Sequence, residues 1–529
     1  MITTSFTNLL SQFSSFPTSP TLPPLSTILF IYTPLIYLTL SFIQLLLLNI
    51  QNLQNPHLPP GPWYTRFTNL ILRYHEWNGN RRIYIEELHK RFGESIRIGV
   101  REFAFCGMEG VRGVYGGAGG AERGLDKTGF YALFRQMGVR TTFSTERRLE
   151  HKEKKRNTAK PYRNTEILKP IIMDAIEERS RAFVRKIEEA ENGTIDVYRY
   201  VHCYTLDCVS HVLLGKEGTK SIEEKAGMEM MNEMTYYSTF KTQLITFYLQ
   251  PLSTFLLSLL PQKSTLLTNT HVFSTCLQPS QEPYTLLHTL QHATPPLTEI
   301  EIGAEIMDHL AAGIDTTGIA LTYLLYTLSR PSNYGIQETL HRSLVSPLGN
   351  SERGIDTNPN TNTETDTNPN PNPNQETKIT YTNAIINETL RLYTPIPNSQ
   401  PRFVPKHEPK TIDKYLIPGN STISVQAWSI HRNAQIFGDE VEEFRPERWL
   451  VGADEIREME RGYLAFGKGG RACIGKNLAL AEMRHLVQEI YTKYRTRIKE
   501  GWEGDMEMED QLAASRPRGQ ECMLVFEKR

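Results

Sequence analysis

From Leu25 to Ile50 the chain runs for 26 residues without a charge and almost continuously apolar. About 20 such residues cross the hydrocarbon core of a bilayer as a helix, and lipid offers no partner to backbone amides outside a helix or a closed barrel. The stretch reads as a single transmembrane helix, so the rest of the chain must fold on one side of a membrane. A cleavable signal peptide is the competing reading, but the run is longer than a usual signal core, lacks a charged leader and meets no small-residue cleavage site. No lysine or arginine precedes Arg66, whereas Arg66, Arg73, Arg81 and Arg82 come soon after the run. The positive-inside tendency then puts residues 1–24 across the membrane and the large C-terminal part in the cytosol.

After the anchor (25–50), residues 51–65 form a proline-rich hinge, since Leu58-Pro59-Pro60-Gly61-Pro62 cannot continue a helix. The remaining residues, 66–529, suffice for one large domain. The net charge of −1 and pI near 6.9 give no basic surface for nucleic acid. Six dilute cysteines without zinc-site spacing read as reduced thiols. Helical spacing dominates from 165 to 330, including the amphipathic Glu166–Ala190. A helix is also expected at Arg81–Phe92, and period-2 alternation at Ser95–Gly99 and Glu102–Cys106 predicts a hairpin. Ile412–Trp428 alternates around a Pro418-Gly419 turn. The glycine-rich Tyr115–Gly124 fits no phosphate-binding pattern and reads as a loop. Leu244–Leu260, broken at Pro251, reads as an apolar patch at the membrane surface or over a substrate entrance. The Asn/Pro/Thr-rich tract 351–378 is expected to be a disordered surface insertion. The fold class is therefore mainly α with small β-sheets (α+β).

Three local patterns carry chemistry. In Phe466-Gly467-Lys468-Gly469-Gly470-Arg471-Ala472-Cys473-Ile474-Gly475, a lone cysteine precedes an apolar-faced helix marked by Leu478, Met483, Leu486 and Ile490. The positive helix end, with Arg471 and Lys468, is expected to lower the thiol pKa and favour the thiolate that a soft metal accepts. A buried structural cysteine in an ordinary loop accounts for the same residues. Within the long helix expected at Glu299–Ser329, the island Ala312-Gly313-Ile314-Asp315-Thr316-Thr317 weakens helix and costs desolvation, which suggests function; a satisfied core aspartate or a helix bend is the alternative. On the helix Thr380–Leu392, Glu388 and Arg391 share a face and can pair, ordinarily a weak surface interaction.

Together and in this order, these patterns resemble the cytochrome P450 family, over roughly residues 56–529. Phe466, Gly469, Arg471, Cys473 and Gly475 match its haem signature F-x-x-G-x-R-x-C-x-G. Ala312, Gly313, Asp315 and Thr316 match its (A/G)-G-x-(D/E)-T motif, and Glu388 with Arg391 its E-x-x-R pair. Arg448, in Pro446-Glu447-Arg448-Trp449, stands at the third member of that ion network. The anchor and hinge resemble the microsomal, eukaryotic branch, and the style of the chain its filamentous-fungal members. The resemblance implies the cytochrome P450 fold behind an N-terminal transmembrane helix. It implies Cys473 as the axial ligand of haem b (iron protoporphyrin IX), with Phe466 shielding the sulfur. Arg471, His151, Lys155 and Arg402 would face the haem propionates; lysine at 155 replaces the more usual arginine, which loses the bidentate fork. Asp315 and Thr316 would be catalytic, holding water that delivers protons, and Glu388, Arg391 and Arg448 would hold the cysteine loop.

The implied activity is that of a monooxygenase putting one atom of dioxygen into an apolar small molecule, in fungal secondary-metabolite biosynthesis. Electrons would come from NADPH through a membrane-bound NADPH–cytochrome reductase, with cytochrome b5 as a second donor. The implied location is the endoplasmic reticulum membrane, single-pass, with the catalytic domain facing the cytosol. Tyr131–Phe143, the half-helix through Met307, Leu310 and Ala311, and Pro395–Ser399 are candidate substrate linings. The sequons at Asn192, Asn387 and Asn420 would go unused in the cytosol. Two other readings compete: a haem-thiolate isomerase or dehydratase of the same fold, which has little need of Asp315-Thr316, and a non-catalytic membrane-tethered binding protein.

Overall fold

The computed structural model describes Thr39 and residues 58–116, 124–236, 240–248, 267–345 and 380–529. The expected anchor at 25–50 apart from Thr39, most of the glycine-rich loop, 249–260 of the apolar patch and the insertion at 351–378 lie outside these residues. Among the described residues, no helix is long and apolar enough to cross a membrane. The described part of the hinge lies along a strand: the Arg97 amide donates to the Pro60 carbonyl at 2.7 Å, and Trp63–Arg66 closes a 3₁₀ turn.

The architecture is mainly helical with small sheets. Its centre is the helix Glu299–Leu328, started by a reciprocal cap in which Thr298 Oγ1 accepts the Glu301 amide and Glu301 Oε2 accepts the Thr298 amide. Residues 302–310 and 317–325 of this helix are buried, because Pro170–Glu189, Val197–Leu214 and Lys476–Lys493 share one apolar core with it. A Cβ on Gly313 would stand 2.7 Å from Val209 Cγ2, so the missing side chain allows the close approach of Val197–Leu214. The expected weakening at 312–317 does not interrupt the helix. Thr316 Oγ1 instead donates to the Ala312 carbonyl at 2.7 Å, a bond made within the helix itself.

A second core lies against a five-stranded sheet, in spatial order Ser95–Gly99, Glu102–Phe105, Thr422–Val425, Arg402–Phe403 and Asp126–Lys127. The first two strands form the expected antiparallel hairpin. The Pro418-Gly419 turn lies between two strands, as expected. Tyr415–Ile417 pairs backward with Lys410–Ile412, while Thr422–Val425 leaves to run parallel to Glu102–Phe105. Alternation shows that these are strands, but not that their partners lie on the other side of the fold. The same sheet sets Lys127 beside Arg402 in register, two cations brought together from distant parts of the chain.

Candidate functional site

The glycine loop folds back on itself before its helix. Gly469 takes φ +65° and approaches the Tyr115 carbonyl so closely that no Cβ fits. The Ala472 amide donates to Gly469 O (3.0 Å) and the Cys473 amide to Phe466 O (2.7 Å). Gly475 then caps the helix Lys476–Lys493. Of the six cysteines, Cys473 alone is exposed, although it lies deep within the chain; the other five are buried. On the long helix, Ala312 is likewise accessible between the buried Leu310 and Ile314. Accessible surface so deep within a packed core is the wall of a hollow.

Burial outweighs the Gly475 and Lys476 amides and the Lys155 and Lys476 charges, which pull the other way, so the Cys473 pKa lies above its ordinary value and not below it as expected. The cations favouring the thiolate are thus Lys155 and Lys476 rather than the expected Arg471 and Lys468. Arg471 turns away to donate through Nη1 and Nη2 to the Thr145 and Glu146 carbonyls, 2.6 Å each, and Lys468 Nζ bonds the Glu460 carbonyl. Lys155 Nζ donates to the carbonyls of Ala472 (3.1 Å) and Gly470 (3.3 Å). It ties the helix Arg148–Thr158 to the cysteine loop.

Around the loop stands a group of positive charges. His151, 7% exposed, is lowered by burial and by Arg471, Lys127, Lys155 and Arg402. Burial and Arg402 push Arg471 down to about 10, and burial with the same two arginines lowers Lys127. Arg402 Nη1 bonds Tyr131 Oη at 3.2 Å and the guanidinium lies over the Tyr115 ring. Among the described residues, none of Lys127, Arg402 and Arg471 forms an ion pair, and Arg471 Nε is buried without a partner. Asp308 offsets Lys127, and Asp126 and Glu150 offset Arg471, without forming ion pairs with them, so the three clustered cations still suit a bound dianion. A porphyrin with two propionates beside a thiolate ligand fits this donor set. His151, Arg402, Arg471 and Cys473 are thus brought to one place, joined by Lys127. A lone lysine between Asp126 and Thr128 carries no motif, and only its sheet register reveals it.

The long helix contributes acids that sequence reasoning passed over. Glu305 Oε2 accepts the Thr142 amide at 3.0 Å and Asp308 Oδ2 the Phe143 amide at 3.3 Å, while Lys154 reaches Glu305 Oε1 at 3.3 Å. The segment 141–146 is therefore held by the long helix on one side and by Arg471 on the other. Burial, reinforced by Glu305, raises the Asp308 pKa to about 7. Asp315 rises to about 7 by burial, against the opposing charge of Arg516.

The Glu388–Arg391 pair proves wholly buried, unlike an ordinary surface pair. Arg391 Nε and Nη2 meet Glu388 Oε2 and Oε1 at 2.8 Å each, and its remaining protons go to the carbonyls of His431, Val441 and Glu443. Glu388 also accepts Arg448 Nε (3.4 Å), Trp449 Nε1 (3.0 Å) and the Arg445 amide (3.1 Å). Buried His431 extends the network: its Nδ1 meets the Arg391 carbonyl at 3.0 Å and its Nε2 accepts the Leu464 amide at 2.8 Å. Burial pushes its pKa down to about 3, so the ring is neutral and can donate on one side while accepting on the other. Leu464 O in turn accepts the Gly467 amide at 2.9 Å, which carries the network to the cysteine loop.

Comparison with known proteins gives the same assignment over most of the chain. The family model described as Cytochrome P450 matches residues 58–523. Cytochrome P450 monooxygenase tazI of Aspergillus terreus is 26% identical, covering 88% of this chain and 93% of its own length. Cytochrome P450 monooxygenase FGM1 of Gibberella zeae is 25% identical over 94% of this chain and 98% of its own. Pisatin demethylase of Fusarium vanettenii is 25% identical over 84% of each.

Proposed function

The chain belongs to the cytochrome P450 family, and on that premise we propose that this monooxygenase holds haem b on Cys473 and puts one atom of dioxygen into a small molecule of fungal secondary metabolism. The observation that carries the assignment of the haem site is the one exposed cysteine beside Lys127, Arg402 and Arg471, which form no ion pair among the described residues, with Arg471 Nε buried and unsatisfied. Bound through a thiolate, haem supplies dioxygen activation, the sulfur donating electron density that favours O–O cleavage. Arg402, Arg471, His151 and Lys127 bind the propionates. Phe466 covers the sulfur side, and Lys155 holds the loop against the helix Arg148–Thr158. Electrons come from NADPH through a reductase.

Asp315, with a pKa near 7, can take a proton from water and give it up at physiological pH, and the Thr316 hydroxyl stands one residue further along the helix. Thr316→Val is therefore expected to lower product formed per NADPH consumed by at least about tenfold. Dioxygen, NADPH and a proton would instead yield hydrogen peroxide and NADP⁺, with haem content unchanged. Because Asp315 donates only while protonated, coupling in the native enzyme should fall as pH rises through about 7. In Asp315→Asn it should be low and flat with pH. Unchanged coupling in both variants would remove the pair from proton delivery.

For Lys127→Met, loss of one charge-assisted contact should weaken haem retention about tenfold, read as faster transfer of haem to an acceptor globin. An unaltered transfer rate would exclude Lys127 from the propionate site.

We place the protein in the endoplasmic reticulum membrane with its catalytic domain in the cytosol. The reading rests on the uncharged run 25–50 and on the apolar surface beyond it: Trp63 is 74%, Leu70 73% and Tyr74 63% exposed, as suits residues lying at a membrane interface.

A further inference from the structure

Tyr162 and His309 form a buried pair that oxygen insertion and proton delivery leave unused. Tyr162 Oη lies 2.7 Å from His309 Nδ1, and the two rings stack with centroids 5.3 Å apart. The residues are 4% and 7% exposed. Burial lowers the His309 pKa against the opposing charge of Glu305, so the imidazole is neutral. With its proton on Nε2, toward Glu305 Oε2 at 3.8 Å, the ring leaves Nδ1 to accept the Tyr162 hydroxyl.

The pair stands beside the cysteine loop. Asn477, in the first turn of the helix that follows Cys473, donates through Nδ2 to the Tyr162 carbonyl at 3.0 Å. Ile474, next to Cys473, packs on the apolar core that contains Tyr162. Other buried tyrosines spend their hydroxyls on groups that cannot take a proton. Tyr115 donates to the Gln400 and Val425 carbonyls, Tyr204 to the Glu482 carbonyl and Tyr323 to the Met506 carbonyl, while Tyr131 faces Arg402.

Removing an electron from a phenol turns it into a strong acid. In a buried site the resulting charge is costly unless a base takes the proton in the same step. His309 is such a base at hydrogen-bond distance, and Glu305 faces the imidazolium that forms. We propose that Tyr162 is a redox-active tyrosine, with His309 as its base, that discharges oxidising equivalents from the haem centre when no substrate consumes them. The inference rests on the haem-thiolate reading of Cys473. Tyr162 gives one electron to a haem centre that a peroxide has oxidised beyond the ferric state, its O–H bond breaks, and the proton passes to His309 Nδ1. A neutral tyrosyl radical and a haem centre reduced by one equivalent remain. An electron from the NADPH-fed reductase, with the proton returned by His309, restores the phenol.

The test is freeze-quench electron paramagnetic resonance of the full-length haem-loaded enzyme mixed with peracetic acid, without substrate or reductase. The native enzyme should give an organic radical signal whose splitting collapses when the protein carries ring-deuterated tyrosine. Tyr162→Phe, which keeps the ring, should lose that signal and bleach its haem faster. His309→Gln keeps a hydrogen-bond acceptor but not a base, and the radical yield should fall at least about tenfold. The thiolate-type carbon-monoxide band should be unchanged in both variants. If Tyr162→Phe does not load haem, His309→Gln decides alone. A native enzyme that shows the carbon-monoxide band but no tyrosyl signal, or a signal that either variant leaves unmoved, overturns this proposal alone. A native enzyme lacking that band contradicts the haem-thiolate reading, and the role of the pair falls with it.

Discussion

Cys473→Ala is expected to remove thiolate-ligated haem completely while leaving the polypeptide folded. The side chain contributes little packing, since it carries accessible surface, and the loop's backbone bonds survive its truncation: Cys473 N to Phe466 O, Ala472 N to Gly469 O, and the Lys155 contacts to the loop carbonyls. The purified variant should keep the far-ultraviolet circular dichroism of the native chain. Any haem retained by the basic residues should lack the red-shifted carbon-monoxide band of a thiolate ligand. The same band in the variant would mean that another residue ligates the iron. No other cysteine is placed to do so, since Cys106, Cys203, Cys208, Cys276 and Cys522 are buried.

Arg391→Ala should have the largest effect on folding. Removing the guanidinium leaves the Glu388 carboxylate buried without its main partner and strips bonds from the carbonyls of His431, Val441 and Glu443. Breaking a buried pair in this way costs about 3–5 kcal/mol, a large part of the stability of an ordinary domain. Lysine at this position should not rescue it, because a single ammonium cannot reproduce two parallel bonds to Glu388 together with three to carbonyls. The check is the thermal denaturation midpoint and haem content of Arg391→Ala and Arg391→Lys beside the native enzyme. The loss should reach haem content, since the network continues through His431 and Leu464 to Gly467. A denaturation midpoint close to native in Arg391→Ala would show that the network is not a scaffold.

The features legible in the sequence are local. The i, i+3 spacing of Glu388 and Arg391, the glycines before Cys473 and the polar island at 312–317 all lie within one or two turns of chain. Each is found where its spacing places it, on a helix or at a helix start. The features that escape depend on partners distant in sequence. Burial of Glu388 and Arg391 comes from carbonyls beyond residue 430, and Lys127 matters only because its strand lies beside Arg402. His431, Glu305 and Asp308 bind backbone amides and carbonyls, which have no side-chain signature to match. The expected effect of Arg471 on the thiol fails for the same reason. Proximity in sequence says nothing of direction, and its guanidinium turns to the Thr145 and Glu146 carbonyls. The Pro418-Gly419 turn is legible as a turn, but the strand after it pairs with Glu102–Phe105 rather than with the strand before it.

The central claim is that Cys473 ligates haem iron as a thiolate. The most direct measurement is the carbon-monoxide difference spectrum of the full-length enzyme, reduced after expression with haem. The account predicts the red-shifted band of a thiolate ligand, present in the native protein and lost in Cys473→Ala. A native protein that binds haem but shows only the shorter-wavelength band of a histidine-type or protonated ligand would contradict it.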